Sequence, residues 1–290
     1  MVNNNKRYVL ITAARNEEAL IENTIKCVIA QTIKPVLWII VSDDSTDSTD
    51  EIVQSYVNKY DFITLIRNKK TDDRNFASKV YAVNLAISKV NVDYDFIGIL
   101  DADITFEPNY YEMILQEFEK DPKLGLAGGE FYDIIDGKKF RVIKSSMSVR
   151  GGIQLFRKAC FQQIGKFTPL KNGGEDVITE VTARMNGWKV KSFNHLMLEH
   201  HRVTGTGGWS VYEAKFKEGI LAHSMGYHPF FQIFKSFHRI IDKPFVISGF
   251  LLFAGYIWAI ISGNKRKVSK EFMHFIRKEQ MERMKGLVVK

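Results

Sequence analysis

Four short, mostly apolar runs punctuate the first hundred positions, at residues 8–11, 36–41, 62–67 and 97–100. Each is bounded by turn-forming or charged residues, as expected of buried strands. Between the first two, Leu20, Ile21, Ile25, Val28 and Ile29 recur at helical spacing, with Asn16 as a candidate cap. Ser45 or Asp47 caps a second helix, and a third opens near Ala77. Strand and helix therefore alternate, which predicts an α/β, Rossmann-like and mostly parallel sheet flanked by helices. Downstream, the pattern predicts a helix at 110–120 after Pro108, a strand at 124–129 and an edge strand at 138–144. The stretch 150–157 enters another strand, a helix ends near Ile164-Gly165, and a further helix opens at Glu175 with Val177, Val181 and Met185 near one face. Short strands at 189–193 and 196–199 complete this region.

The last quarter has a different pattern. Phe230, Phe231, Ile233, Phe234, Phe237 and Ile240 interleave with Lys235 and Arg239, as in an interfacial amphipathic helix. Residues 244–264 carry no charge and just reach the roughly 20 residues of a membrane span. Both flanks are basic, with Lys243 before and Lys265, Arg266 and Lys267 after, so both ends favour the same membrane face. Gly249 and Gly255 could break the segment, and a re-entrant or interfacial hairpin is expected; residues 270–285 form a charged amphipathic tail. The expected division is a catalytic domain at 1–225, with halves at about 1–105 and 106–225, and a helical, membrane-associated region at 226–290.

The net charge of +8 over 290 residues points to phosphorylated ligands or an anionic surface. The cations are dispersed and no nucleic-acid motif is present, so nucleic acid is not expected as a partner. Cys27 and Cys160 lack metal-ligand spacing. Residues 1–7 are short and polar, unlike a signal peptide, so a cytoplasmic location is expected.

The chemistry gathers where the strands end. The first runs into Thr12-Ala13-Ala14-Arg15-Asn16-Glu17-Glu18 and the second into Ser42-Asp43-Asp44-Ser45-Thr46-Asp47. The fourth stops at Asp101-Ala102-Asp103. In open α/β sheets, ligands bind outside the carboxyl ends of the strands. Two carboxylates that close suit Mg²⁺ or Mn²⁺, which commonly share substrate phosphates. Lys79, on the first turn of the third helix, could reach a diphosphate. There is no G-x-G-x-x-G and no Walker lysine, against a dinucleotide fold or a P-loop ATPase.

These three strand ends, in this order, resemble the nucleotide-sugar-binding half of the family 2 glycosyltransferases, which have the GT-A fold. The resemblance covers roughly residues 7–205. Aligning on Ser45 puts Asp43 at the family's base-recognising aspartate and Asp44 at its glycine; which of the two reads the base stays open. The resemblance implies that Thr12 and Asp43 touch the nucleoside and that Asp101 binds near the ribose and metal; Ala13, Arg15, Glu17, Lys79 and Ala102 are the further donor-contact candidates on the same strand ends and the third helix. It implies that Asp103 ligates the metal directly, with Asp101 beside it. Gly173-Gly174-Glu175-Asp176 stands where the family has its acidic pair. It implies Asp176 as the general base and Glu175 as an acceptor contact. His200 or His201 is the expected further metal ligand, without a choice between them. Arg202 could bind the diphosphate bidentately, and the loop 205–209 could close over the donor. Gly151, Gly152 and Trp209 are the remaining acceptor candidates.

The expected activity is an inverting, Mn²⁺- or Mg²⁺-dependent transfer of one sugar from a nucleotide-diphosphate sugar, UDP-linked as first choice. The acceptor is the hydroxyl of a glycan or lipid-linked molecule in cell-surface polysaccharide assembly, at the cytoplasmic face of the membrane. The Gln-x-x-Arg-Trp motif of processive synthases is not found, hence one transfer per event. The alternatives are a sugar-nucleotide nucleotidyltransferase, disfavoured by the glycine-free loop after the first strand, and a non-catalytic membrane-bound binding module, which has no need of Asp176.

Overall fold

The computed structural model describes residues 6–69, 76–141, 147–170, 173–202, 210–241 and 245–288. The chain divides into two compact units, residues 1–171 with 182–204, and residues 172–181 with 205–290.

The first unit is built on one nine-stranded sheet. Its strands are β1 (Tyr8–Ala14), β2 (Leu37–Asp43), β3 (Ile63–Asn68), β4 (Phe96–Leu100), β5 (Ile104–Phe106), β6 (Leu124–Ile135), β7 (Lys138–Arg141), β8 (Ile153–Arg157) and β9 (Lys189–His200). The spatial order is β3-β2-β1-β4-β8-β6-β9-β5, with β7 paired to β6. β3, β2, β1 and β4 run parallel, so their carboxyl ends share one edge. β8 is antiparallel to β4 and β6, whereas β6 and β9 are parallel. Parallel pairing therefore holds for the nucleotide half, and the remainder of the sheet is mixed rather than mostly parallel.

The alternation of β1 explains its continuous apolar character. Tyr8 and Leu10 face a core with Ile21 and Ile25 of α1 (Ile21–Ile29), Val53 of α2 (Thr49–Val57) and Phe118 of α4 (Tyr110–Lys120). Val9 and Ile11 face another with Val80 and Val83 of α3 (Phe76–Ser88) and Phe161 of α5 (Lys158–Ile164). A strand buried on both faces has no polar side to show. The 124–129 run extends to Ile135, and the two short strands expected after 188 are one strand, β9, with a register irregularity opposite Gly129/Glu130. Within 138–144 the edge strand covers Lys138–Arg141, and 142–144 lie outside the described residues.

The second unit is helical. It holds the start of α6 (Glu175–Met185), then α7 (Val211–Ser224), α8 (Pro229–His238), α9 (Ile247–Ile261) and α10 (Lys270–Val288). Ser210 and Glu213 form a reciprocal capping box that starts α7. The hairpin expected at 244–264 is instead one 15-residue helix, α9. Its glycines do not break it, because they are where neighbours approach. A Cβ on Gly255 would strike the Phe216 carbonyl of α7, and one on Gly249 the Ser236 carbonyl of α8. Among the described residues, no helix is long and apolar enough to cross a membrane.

Candidate functional site

The parallel arrangement of β1, β2 and β4 brings the turns after them to one edge of the sheet, and side-chain hydrogen bonds stitch two of these turns together. Asn16 stands at φ 54° and does not cap α1; its amide oxygen accepts from Thr46 N at 2.8 Å. Glu17 N donates to Thr49 Oγ1 at 2.7 Å and Glu18 N to Asp47 Oδ2 at 3.1 Å. Asp47 also takes Thr49 N at 3.0 Å, so it serves the start of α2 while tying down the neighbouring turn.

Asp44 has φ 59°, a left-handed conformation that suits glycine and is tolerated by aspartate. The backbone thus agrees with an alignment that sets Asp44 in a glycine position. Asp43 is buried at the end of β2, its Oδ1 accepting from Asn68 Nδ2 at 2.8 Å. Two donor candidates are enclosed. Thr12 has no exposed surface, and its hydroxyl oxygen accepts from Trp38 Nε1 at 3.0 Å. Ala102 lies in the core, its carbonyl held by Thr24 Oγ1 at 2.8 Å. As placed, neither side chain offers a surface to a ligand. Ala13, within β1, and Arg15, on the turn after it, are half-buried.

The two carboxylates of the Asp-x-Asp differ in company. Asp101 is half-buried, with the Lys79 ammonium 2.5 Å from its Oδ1, and its backbone N donates to Gly152 O at 2.8 Å. Lys79 is therefore on the carboxylate rather than standing free. Gly152 has a steric role here: a Cβ would lie 2.7 Å from Asp101 Oδ2. Gly151, its neighbour, is half-buried. Asp103 is deeper. Its Oδ2 is 3.6 Å from His200 Nε2 and 3.6 Å from Arg202 Nε. Its Oδ1 is buried with no hydrogen-bond partner among the described residues.

The adjacent histidines, the last residue of β9 and the one just past it, take different partners. His200 is directed at Asp103, while His201 Nε2 lies 2.8 Å from Thr105 Oγ1 and its backbone N donates to Asp103 O at 3.0 Å. On its other side, His200 Nδ1 is 3.0 Å from Asp133 Oδ1, a contact the sequence patterns do not single out. Burial disfavours the imidazolium, but the carboxylates of Asp103 and Asp133 outweigh it and push its pKa up to about 9. Burial likewise opposes the Asp103 carboxylate, yet His200, Arg202 and Lys79 hold its pKa below the usual range. Arg202 closes the cluster as a bidentate partner of buried Glu17, at 2.8 and 2.5 Å.

Four carboxylates (Glu17, Asp101, Asp103, Asp133) thus meet three cationic side chains (Lys79, His200, Arg202) at one sheet edge. Among the described residues no three His, Cys, Asp or Glu side chains converge into a closed metal cage. Mg²⁺ and Mn²⁺ sites that share substrate phosphates need only one or two protein ligands. The unpartnered Asp103 Oδ1 and the imidazole facing the same carboxylate fit such an open site. Two metal–ligand bonds of about 2.1 Å can span the Oδ2–Nε2 gap of 3.6 Å.

Glu175 and Asp176 belong to the second unit, on the first turn of α6, where Asp176 Oδ1 accepts from Val177 N at 2.8 Å. Gly174, before them, has φ 103° and abuts Leu221 of α7. Trp209 and the loop 205–209 lie outside the described residues.

Comparison with known proteins agrees with this architecture. Poly-β-1,6-N-acetyl-D-glucosamine synthase of Staphylococcus epidermidis is 26% identical over 209 residues, 64% of this chain and 46% of that protein. The Staphylococcus aureus synthase is 24% identical over 200 residues, 62% of this chain and 46% of that protein. The chain thus spans about half the length of these relatives. Among solved structures, the mannosyltransferase PcManGT from Pyrobaculum calidifontis in complex with GDP-Man and Mn²⁺ covers 96% of this chain and 80% of its own, with TM-score 0.57 and 13% identity. S. aureus TarS 1-349 in complex with UDP-GlcNAc covers 93% and 78%, with TM-score 0.56 and 14% identity. The family model for glycosyl transferase family 2 matches residues 9–194, from β1 through the sheet into β9, and the chain belongs to that family.

Proposed function

We propose that the chain is a divalent-metal-dependent, inverting glycosyltransferase that uses UDP-N-acetylglucosamine as donor and serves cell-surface polysaccharide assembly. The observation that carries this reading is the Asp101/Asp103 pair at the end of β4, facing Lys79, His200 and Arg202. UDP-GlcNAc is favoured by the names of the staphylococcal synthases and by the TarS complex. The fold alone does not choose the base, since PcManGT binds GDP-Man. Asp43, buried at the tip of β2 beside left-handed Asp44, is the proposed reader of the base.

Asp103 and His200 would hold Mn²⁺ or Mg²⁺, which would offset the charge of the departing diphosphate. Asp101 and Lys79 orient the donor beside them. Arg202, with one edge on Glu17, has a guanidinium charge available to the phosphates. Asp176 is the proposed base, removing the acceptor proton as the hydroxyl attacks the anomeric carbon. Glu175 supports the acceptor. One sugar is transferred per event.

The C-terminal unit is proposed to rest on the anionic, cytoplasmic leaflet. Phe230 and Phe237 of α8 are 66% and 69% exposed, and Phe250 and Ile261 of α9 are 68% and 75% exposed. Exposed Lys265, Lys267 and Lys270 follow directly, giving the aromatic and basic combination that binds such surfaces.

The test measures UDP release and product length with UDP-GlcNAc, GDP-mannose and UDP-glucose, with and without Mn²⁺. We expect UDP-GlcNAc-dependent, chelator-sensitive turnover that falls at least about 100-fold in Asp103→Ala and Asp176→Asn. Full activity in either variant removes that residue's role. Formation of polymer removes the single-transfer assignment, and equal sedimentation with anionic and neutral vesicles removes the proposed surface.

A further inference from the structure

We propose that Asp133 is a positioning residue for the cation centre: it fixes the imidazole of His200 so that Nε2 is presented beside Asp103. The inference rests on the cation-dependent reading above and adds a residue to it.

Three strands supply the geometry. β9 lies between β6 and β5, with His200 paired to Asp133 on one side and to Ile104 on the other. Asp103 immediately precedes Ile104. The register therefore places Asp133, His200 and Ile104 in one row across the sheet, with Asp103 just ahead of that row. Asp133 Oδ1 is 3.0 Å from His200 Nδ1, and His200 Nε2 is 3.6 Å from Asp103 Oδ2. The imidazole is also fixed face-on, stacked on the buried Phe131 ring with centroids 5.6 Å apart and planes 17° apart. Phe131 comes from the same strand as Asp133, so one strand controls both the plane of the ring and its nitrogen.

The residue type matters. Asp133 is 5% exposed in a strand, where a carboxylate costs free energy unless its partner returns it. Without a cation the ring is an imidazolium; a bound cation would displace the Nε2 proton, while the acceptor on Nδ1 keeps the remaining proton on that nitrogen and leaves the Nε2 lone pair for the cation. Carboxylate partners of ligating histidines also raise the basicity of the ligating nitrogen.

The experiment compares wild type with Asp133→Asn, Asp133→Leu and His200→Gln. Mn²⁺ binding in the presence of UDP is followed by electron paramagnetic resonance titration. Nitrogen modulation in the electron spin-echo spectrum reports imidazole ligation independently of turnover. We expect Asp133→Leu to bind Mn²⁺ about 10- to 100-fold more weakly, with nitrogen modulation reduced. Asp133→Asn keeps an acceptor but not the charge and should fall between. His200→Gln should lose the modulation altogether. Thermal unfolding and metal-free UDP binding identify any variant that fails to fold.

The proposal is overturned if folded Asp133→Asn and Asp133→Leu bind Mn²⁺ and show modulation as wild type does while His200→Gln does not; the cation-dependent reading would survive that result. If wild type binds UDP but no Mn²⁺, both fail; Mn²⁺ bound without nitrogen modulation overturns this proposal alone. If Asp133→Leu unfolds, Asp133→Asn decides: unchanged affinity and modulation overturn the proposal.

Discussion

Replacing Gly152 by alanine adds one carbon at the point where β8 passes the Asp-x-Asp motif. That carbon would sit 2.7 Å from Asp101 Oδ2, 3.0 Å from Asp101 Cγ and 3.1 Å from Ile104 Cδ1. The first is shorter than real Cβ contacts allow, so something must move. The backbone has little freedom, because Asp101 N is tied to Gly152 O at 2.8 Å and β4 and β8 are paired throughout. The carboxylate is the part that can turn, and turning it breaks its 2.5 Å contact with Lys79. Overpacking of this kind costs about 1–3 kcal/mol. If the strain is taken up by the carboxylate, Asp101 is displaced where the donor binds. At 1.36 kcal/mol per tenfold, kcat/KM for the donor should fall about 5- to 150-fold. If the strand yields instead, the loss appears in the unfolding free energy. Donor kinetics and urea unfolding measured on Gly152→Ala and wild type separate the two. Unchanged kcat/KM together with unchanged stability would refute the steric account.

Two further outcomes follow from the same geometry. His200 has a folded-state pKa of about 9, above the ordinary value of 6.5, so its stabilising contribution is fully present below about pH 6.5 and is lost as pH rises through about 9. The metal-free protein should therefore lose up to a few kcal/mol between pH 6 and pH 10 by urea unfolding. His200→Gln should lack that part of the slope, and parallel pH profiles for the two proteins would contradict the assignment. In the helical unit, Gly219→Ala puts a Cβ against the Leu252 carbonyl and 2.8 Å from Tyr256 N, where backbone cannot give way. It should lower the melting temperature by pushing α7 from α9, and an unchanged melting temperature would mean that the helices do not cross there.

The site was readable from the sequence to different depths. The strand ends were legible because a strand buried on both faces is a continuous apolar run that must end where polar residues begin, as at Leu100-Asp101. Adjacent Asp43 and Asp44 were not separable by residue type, and backbone conformation distinguishes them: one ends β2 and the other stands at φ 59°. His200 and His201 posed the same problem, settled by their partners: the imidazole of His200 faces Asp103 and that of His201 faces Thr105. Asp133 lay beyond the strand predicted at 124–129, and its partner is 67 residues away. Lys79, Arg202 and Glu17 read as contacts to the donor, whereas the fold pairs Lys79 with half-buried Asp101 and Arg202 with buried Glu17. In the apolar 244–264 segment, glycines that read as breaks are contact points between helices.

The sequence by itself therefore determined the alternation of strand and helix, the family and the acidic edge of the sheet. These depend on local periodicity and short-range motifs, which act over a few residues. Tertiary structure decided which of two neighbouring aspartates or histidines faces the site, which cation neutralises which carboxylate, and that Gly152 must lack a side chain. Those outcomes depend on strand register and close packing between residues far apart in the chain, which no local pattern encodes.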